Sequence, residues 1–244
     1  MNSLKGKYIS ILGASTSTFD GFSNNTDYNS TLVVNLPRYP MPECVTDVKD
    51  TWWMRTIKAL DLNLCVNNSW RGSCVTTVVD GPQKAGCMNR ATQLHNDNLG
   101  IEPDIIILII GGNDAIREFD VGTYDGVSDI YDFDNKAYIG DCTRFGHAYA
   151  TMVHKVKNRY PYADIYVCSM LGWKTSKGVR KYNDVIEKIA KEFRVNYVDF
   201  YNHTKISPKT TEIYLHTDGV HPNKLGFEQM SQCVINAIKS NYSK

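Results

Sequence analysis

The chain has 244 residues, with 27 Lys+Arg against 26 Asp+Glu and a formal net charge of +1, a balance that argues against a nucleic-acid partner, which calls for a basic excess or stripe. At 42% hydrophobic and 22% charged residues it has the make-up of a globular protein, not a disordered or fibrous one, and the length suits one domain over 1–244 with a sizeable core. Seven Cys are dispersed without a C-x-x-C pair, which excludes a zinc ribbon and a full disulfide framework and points to a reducing compartment.

Residues 8–12 read as a first strand running into Gly13. Thr46 is placed to cap a helix with Trp53, Ile57 and Leu60 on its apolar face. A weaker strand is expected at 62–66. The unbroken β-branched and Leu run at 104–110 has the pattern of a strand buried on both faces of a parallel sheet. Phe145, Tyr149, Met152, Val153 and Val156 mark a helix, followed by Pro161 and a strand at 165–168. Val179, Tyr182, Val185, Ile186, Ile189 and Phe193 mark the next helix, leading to a strand at 195–200. The last helix is expected to start with Pro222 at its first position and to bury Leu225, Phe227, Met230, Val234 and Ile238. Strands alternating with helices predict an α/β fold, a three-layer α/β/α sandwich of about five parallel strands with flavodoxin-like winding.

Residues 1–7 lead straight into the first strand without an apolar leader core, so a cytoplasmic location is expected, a secreted protein whose leader has been removed being the alternative. The most apolar run, 105–110, falls far short of the roughly 20 residues a bilayer requires, and no membrane span is expected.

Four segments carry candidate chemistry, each with a plain structural alternative. Gly13-Ala14-Ser15-Thr16-Ser17 follows the first strand, where a sharp strand-to-helix turn exposes a nucleophilic hydroxyl. It also suits a capping turn, and it lacks the G-x-x-x-x-G-K-[ST] of a phosphate loop. Asp218-Gly219-Val220-His221-Pro222-Asn223 puts a carboxylate three residues ahead of a His, close enough to bind Nδ1 and leave Nε2 as a base; a capped helix start with a surface His is the alternative. Gly111-Gly112-Asn113-Asp114 offers an amide donor to developing negative charge, or simply a turn. Asn67 to Ser73 is a polar loop in which Gly72 offers a backbone N–H. All four lie at strand ends or before a helix, on the edge where such sheets place their sites. Together they supply nucleophile, base, orienting acid and oxyanion donors, the full requirement of acyl transfer.

In these blocks the sequence resembles the SGNH hydrolases of the GDSL esterase/lipase superfamily. Ser15, Gly72, Asn113 and His221 match the four name-giving positions in order, and Asp218 matches the triad acid, over a correspondence running from Lys5 to the final helix. One departure is Ala14, where the family usually carries Asp before the nucleophile. The resemblance implies ester hydrolysis without metal or organic cofactor: Ser15, Asp218 and His221 as the catalytic set, and Ser15 N–H, Gly72 N–H and the Asn113 amide as the oxyanion hole. The expected substrate is a small-molecule or glycan ester, with an O-acetyl group on a carbohydrate as the leading case. Trp70 and Trp173 are candidate sugar-binding faces, or else loop anchors. Alternatives are a lysophospholipase or thioesterase, a weakened carbohydrate-binding relative, and a flavodoxin-like phosphate binder. The acidic, aromatic stretch 119–138 reads either as a substrate-covering loop or as a solvated excursion, and its spacing does not fit a calcium loop.

Overall fold

The structure, a computed structural model, describes residues 3–23, 36–173 and 178–243. In chain order its elements are β1 (Tyr8–Gly13), α1 (Trp52–Leu60), β2 (Asn63–Ser69), β3 (Ile105–Ile109), α2 (Gly112–Ile116), a two-stranded hairpin β4 (Tyr131–Asp132) and β5 (Ala137–Tyr138), α3 (Phe145–Arg159), β6 (Asp164–Cys168), α4 (Val179–Phe193), β7 (Asn196–Val198), α5 (Phe200–His203), α6 (Thr211–Tyr214) and α7 (Lys224–Tyr242). Five strands pair in the order β2-β1-β3-β6-β7, every pair parallel. The expected α/β architecture with about five parallel strands is what the chain adopts. Strand order reverses direction at β1, so the carboxyl ends of β1, β2 and β3 meet at the point where open sheets of this kind hold ligands.

The run Ile105–Ile109 becomes β3 at the middle of the sheet, between β1 and β6, where a strand without polar alternation can bury both faces; Ile105 to Leu108 are fully buried. Helix α1 turns Trp52, Trp53, Ile57 and Leu60 inward. Its cap is Thr51, whose hydroxyl accepts from the Met54 N–H at 3.3 Å, and not Thr46. The shift arises because Asp47 already closes a short 3-10 turn, Val48–Asp50, which occupies the residues between. Helix α7 begins after Asn223, whose side-chain oxygen accepts from the N–H groups of Leu225 and Gly226 at 2.9 and 3.1 Å. Pro222 therefore precedes the cap instead of opening the helix. Leu225 is half exposed, whereas Phe227, Met230, Val234 and Ile238 are fully buried. The strand expected at 195–200 is only three residues long, because Asp199 caps α5 and turns the chain at Phe200.

The stretch 119–138 packs on the outside of α3 and α4. The Tyr182 hydroxyl donates to the Phe119 carbonyl and the Val127 N–H donates to Glu192 Oε1 at 2.8 Å, while Ile130 is fully buried beneath the hairpin. Buried Tyr124 and Ile130 exclude a wholly solvated excursion. All seven Cys are free thiols; Cys65 and Cys168 sit in β2 and β6 as small buried residues. Among the described residues no helix is long and apolar enough to cross a membrane.

Candidate active site

At Gly13 the chain leaves β1 and closes at once into a single 3-10 turn, Ser15–Ser17. A Cβ at position 13 would stand 2.7 Å from Ser69 Oγ and 3.0 Å from Ser17 Cβ, so only glycine lets this turn lie so close to the end of β2. The Thr18 N–H and hydroxyl both donate to the Ser15 carbonyl, at 3.2 and 2.9 Å. Ser15 is left 9% exposed at the carboxyl edge of the sheet.

The opposite wall is the loop leading into α7. It is pinched shut where the His216 N–H donates to the His221 carbonyl at 2.7 Å. Within it Asp218 Oδ1 accepts from the N–H groups of Val220 and His221 at 3.0 and 2.9 Å, which aims Oδ2 at the imidazole. His221 Nδ1 lies 2.8 Å from Asp218 Oδ2 and Nε2 lies 2.9 Å from Ser15 Oγ. An ionised carboxylate can only accept, so the ring proton belongs on Nδ1 and the Nε2 lone pair faces the Ser15 hydroxyl. Burial pushes the Asp218 carboxyl up, but hydrogen bonds from the His221 ring, the His221 N–H and the Val220 N–H outweigh it and hold the group far below the ordinary carboxylate range. Asp218 therefore remains a charged acceptor throughout the range in which imidazole titrates.

Asn113, in the first turn of α2, comes to the same edge. One of its amide hydrogens is donated to the Ser73 carbonyl at 2.8 Å, which fixes the side chain and leaves the second free to donate. Gly72 immediately precedes Ser73, and its carbonyl accepts from Arg117 at 3.3 Å. A cavity of about 50 Å³ opens beside Ser15 and Asn113, walled by Ala14, Ile116, Met170, Leu171, Trp173 and Val220. The methyl of Ala14 is part of that wall, so a carboxylate at this position would have put a charge against an apolar surface. Trp173 is only 7% exposed, and its indole N–H donates to the Val220 carbonyl at 2.9 Å. It packs so closely on α2 that a Cβ at Gly112 would meet its ring at 2.6 Å. Trp70 is anchored elsewhere, its backbone N–H on the Gly13 carbonyl at 3.2 Å and its indole N–H on Asn68 Oδ1 at 3.1 Å; it does not line this cavity. Nor does any residue of 119–138.

Ser15, Asp218 and His221 are thus brought into one chain of hydrogen bonds, with Asn113 on the same edge and Gly72 tied to it through Ser73. Two arginines outside every motif, together with Asp114 at the end of the Gly111-Gly112-Asn113-Asp114 block, hold this arrangement. Arg90, 1% exposed, donates to the carbonyls of Gly13 and Asn68, both at 2.6 Å, to the Lys84 carbonyl at 2.7 Å, to Ser73 Oγ at 3.0 Å and to Asn68 Oδ1 at 3.2 Å. Burial pulls its guanidinium down to about 9. The fully buried Asp114 accepts from the N–H groups of Val75 and Thr76 at 2.9 and 3.0 Å and from the Thr76 hydroxyl at 2.8 Å; burial raises its carboxyl to about 6 against those bonds. Arg38 donates to Asp218 Oδ2 at 2.6 Å. No local pattern marks Arg38 or Arg90, and the block containing Asp114 does not show that its carboxylate turns to Val75 and Thr76, because these partners are distant in sequence.

The sequence profile described as GDSL-like Lipase/Acylhydrolase matches residues 7–238 of the chain. The chain belongs to that family. Membership makes it a carboxylic ester hydrolase, in line with a hydroxyl, an imidazole and a carboxylate meeting at the sheet edge. Its fold superimposes on a GDSL-lipase-like protein from Bacteroides ovatus ATCC 8483 at a TM-score of 0.70, with 26% identity and coverage of 97% of this chain and 99% of that one. A second such protein, from Bacteroides uniformis ATCC 8492, gives a TM-score of 0.69 and 24% identity over 96% of both chains. The family 3 carbohydrate esterase of Clostridium thermocellum shares the fold at a TM-score of 0.62 and 14% identity, covering 98% of each chain. Among curated proteins none matches.

Proposed function

We propose that this GDSL-family hydrolase removes short acyl groups, acetyl above all, from the hydroxyls of a carbohydrate, with Ser15, His221 and Asp218 as its catalytic residues. The observation that carries this reading is the continuous relay Ser15 Oγ, His221 Nε2, His221 Nδ1, Asp218 Oδ2, with contacts of 2.9 and 2.8 Å. Ser15 Oγ attacks the ester carbonyl as its proton passes to His221 Nε2, and Asp218 stabilises the imidazolium that forms. Negative charge gathers on the former carbonyl oxygen, where the second amide hydrogen of Asn113 and the N–H groups of Ser15 and Gly72 receive it. The C–O bond to the alcohol then breaks, and the imidazolium proton leaves with the alcohol. Water attacks the acyl-serine, giving its proton to the same Nε2, and the carboxylic acid departs as Ser15 recovers its hydrogen.

The acyl side is argued from the cavity. Its apolar walls at Ile116, Leu171, Trp173 and Val220 suit a methyl or ethyl group, and a space of about 50 Å³ does not suit a lipid chain. The acceptor side is taken from the shared fold with the Clostridium thermocellum carbohydrate esterase. Its test is hydrolysis of p-nitrophenyl acetate and of acetylated xylan, together with stoichiometric labelling of Ser15 by a fluorophosphonate. Both are expected in the wild type and absent from Ser15→Ala. An unlabelled, inactive wild type overturns the proposal. Release of acetate from p-nitrophenyl acetate but from no acetylated glycan overturns its carbohydrate part alone.

A further inference from the structure

The segment 36–45 lies between the nucleophile turn and the His221 loop and is fastened to each through the adjacent residues Arg38 and Tyr39. The Arg38 N–H donates to Thr18 Oγ1 at 2.7 Å, the same hydroxyl that donates to the Ser15 carbonyl. The Tyr39 hydroxyl donates to the Pro222 carbonyl at 2.8 Å. Between these anchors the Arg38 guanidinium reaches Asp218 through one contact, Nη2 to Oδ2 at 2.6 Å, and its Nε has no hydrogen-bond partner among the described residues. The pair is therefore not the two-pronged fork that arginine often makes with a carboxylate. Both side-chain donors fall on a single oxygen, since Oδ2 is also the atom that His221 Nδ1 contacts at 2.8 Å, while Oδ1 is occupied by two backbone N–H groups.

We propose that Arg38 is a positioning residue that sets the pH at which His221 becomes a free base, by competing with the imidazolium for Asp218 Oδ2. This rests on the reading of Ser15, His221 and Asp218 as the catalytic set. The sign follows from the charges. A protonated imidazole is stabilised by the carboxylate and repelled by a guanidinium held on the same oxygen. Arg38 therefore favours the neutral ring, the form that can take the Ser15 proton. Removing its charge gives the whole carboxylate to the imidazolium, which then holds its proton to higher pH. Asp218 stays ionised without Arg38, because the imidazole and two backbone N–H groups still donate to it.

Other titratable groups also face this pair. His216 Nδ1 accepts from the Asp218 N–H at 3.3 Å and lies 3.4 Å from Asp218 Oδ2. Tyr39 stands edge-on to the His221 ring at 6.4 Å. Cys44 donates to the Pro222 carbonyl at 3.8 Å. Burial, followed for each by the Asp218 charge among other neighbours, raises both the Tyr39 hydroxyl and the Cys44 thiol, so both are uncharged where imidazole titrates. Lys224 pairs with Asp50 at 2.8 Å, and Arg71 lies near enough for Arg38 to help pull it down after burial. Of these groups on the described residues, His216 is the imidazole that shares the Asp218 carboxylate.

The experiment is the pH dependence of kcat/KM from about pH 5 to about 9, with neutral p-nitrophenyl acetate so that no substrate charge meets Arg38. Arg38→Gln and Arg38→Lys are compared with wild type, each also in a His216→Asn background. The acid limb of Arg38→Gln is expected to move to higher pH by about 0.5–1 unit, the scale for one partly solvent-screened charge acting on a neighbour. On the limb that is a roughly 3–10-fold fall in kcat/KM. Arg38→Lys keeps the charge and is expected to keep most of the wild-type limb. Superimposable limbs for Arg38→Gln and wild type overturn the proposal, as do equal shifts for Gln and Lys or a shift that vanishes without His216. A wild type that neither turns over ester nor labels at Ser15 fails at the earlier step and overturns the catalytic assignment itself.

Discussion

The two walls of the site are built differently. On the nucleophile side, Gly13, Asn68 and Ser73 are fastened from beneath by the guanidinium of Arg90, and Asp114 holds Val75 and Thr76, both charged groups being buried. On the base side, Asp218 and His221 stand on a surface loop, with side chains 29% and 16% exposed, and are held by their own backbone and by Arg38. Damage to the buried supports of the first wall, Arg90 and Asp114, should fall on the fold, and damage to the supports of the second on the chemistry. An oxyanion hole gains from donors that do not move as charge develops, whereas a base must change its proton and benefits from partners that solvent and a surface arginine can adjust.

The largest effect expected is on rate. Ser15→Ala and His221→Ala should each lower kcat by roughly 10⁴–10⁶-fold, since the members of such a relay act as a unit. Thermal unfolding of His221→Ala should show a Tm close to wild type; a large fall would break the comparison. Asn113→Ala should lower kcat by roughly 100–1000-fold with little change in KM, and an unchanged kcat in steady-state assays would remove Asn113 from the oxyanion hole. Arg90→Met should act on stability. It takes the Arg90 donor from five acceptors, of which the Gly13 carbonyl and Asn68 Oδ1 keep a bond from Trp70, and costs about 3–5 kcal/mol, which at roughly 2–4 °C per kcal/mol for a chain of this size means a Tm lower by about 6–20 °C. A Tm unmoved by that change would mean that the buried clamp contributes nothing to the first wall. On turnover the smallest effect is expected from Trp173→Ala, which opens the cavity so that p-nitrophenyl butyrate gains on the acetate by roughly 4-fold for each methylene newly buried. An unaltered ratio of kcat/KM between the two esters would place the acyl group elsewhere.

The same division governs what could be read from the amino-acid sequence. Ser15, Asn113, Asp218 and His221 are legible because each sits in a short block whose turn chemistry and strand-end position are local properties. The strands and long helices are legible for the same reason, periodicity being a local signal. Helix starts are less legible: α7 opens at Lys224, two residues after Pro222, and the cap of α1 is Thr51, five residues after Thr46. Several hydroxyl and amide side chains compete there, and tertiary contacts choose among them. Arg38 and Arg90 were illegible, since they meet their partners across 180 and 77 residues of chain, and nothing beside either arginine marks it as different from one in solvent. Trp173 is legible as an aromatic near the site or a loop anchor, but its packing against Gly112 is not, because that contact joins segments distant in sequence.

The bond between Ser15 and His221 joins residues 206 positions apart, and this gives the chain a built-in delay. Chains are made from the amino terminus, so the serine emerges 206 residues ahead of the imidazole. Until the segment after α6 has been synthesised and has closed against the first strand, the hydroxyl has no base and the nascent polypeptide is chemically silent towards esters. With Ser15 and His221 in their proposed roles, hydrolysis begins only in molecules where these two segments have met, which makes turnover in a coupled translation reaction a direct clock for that closure.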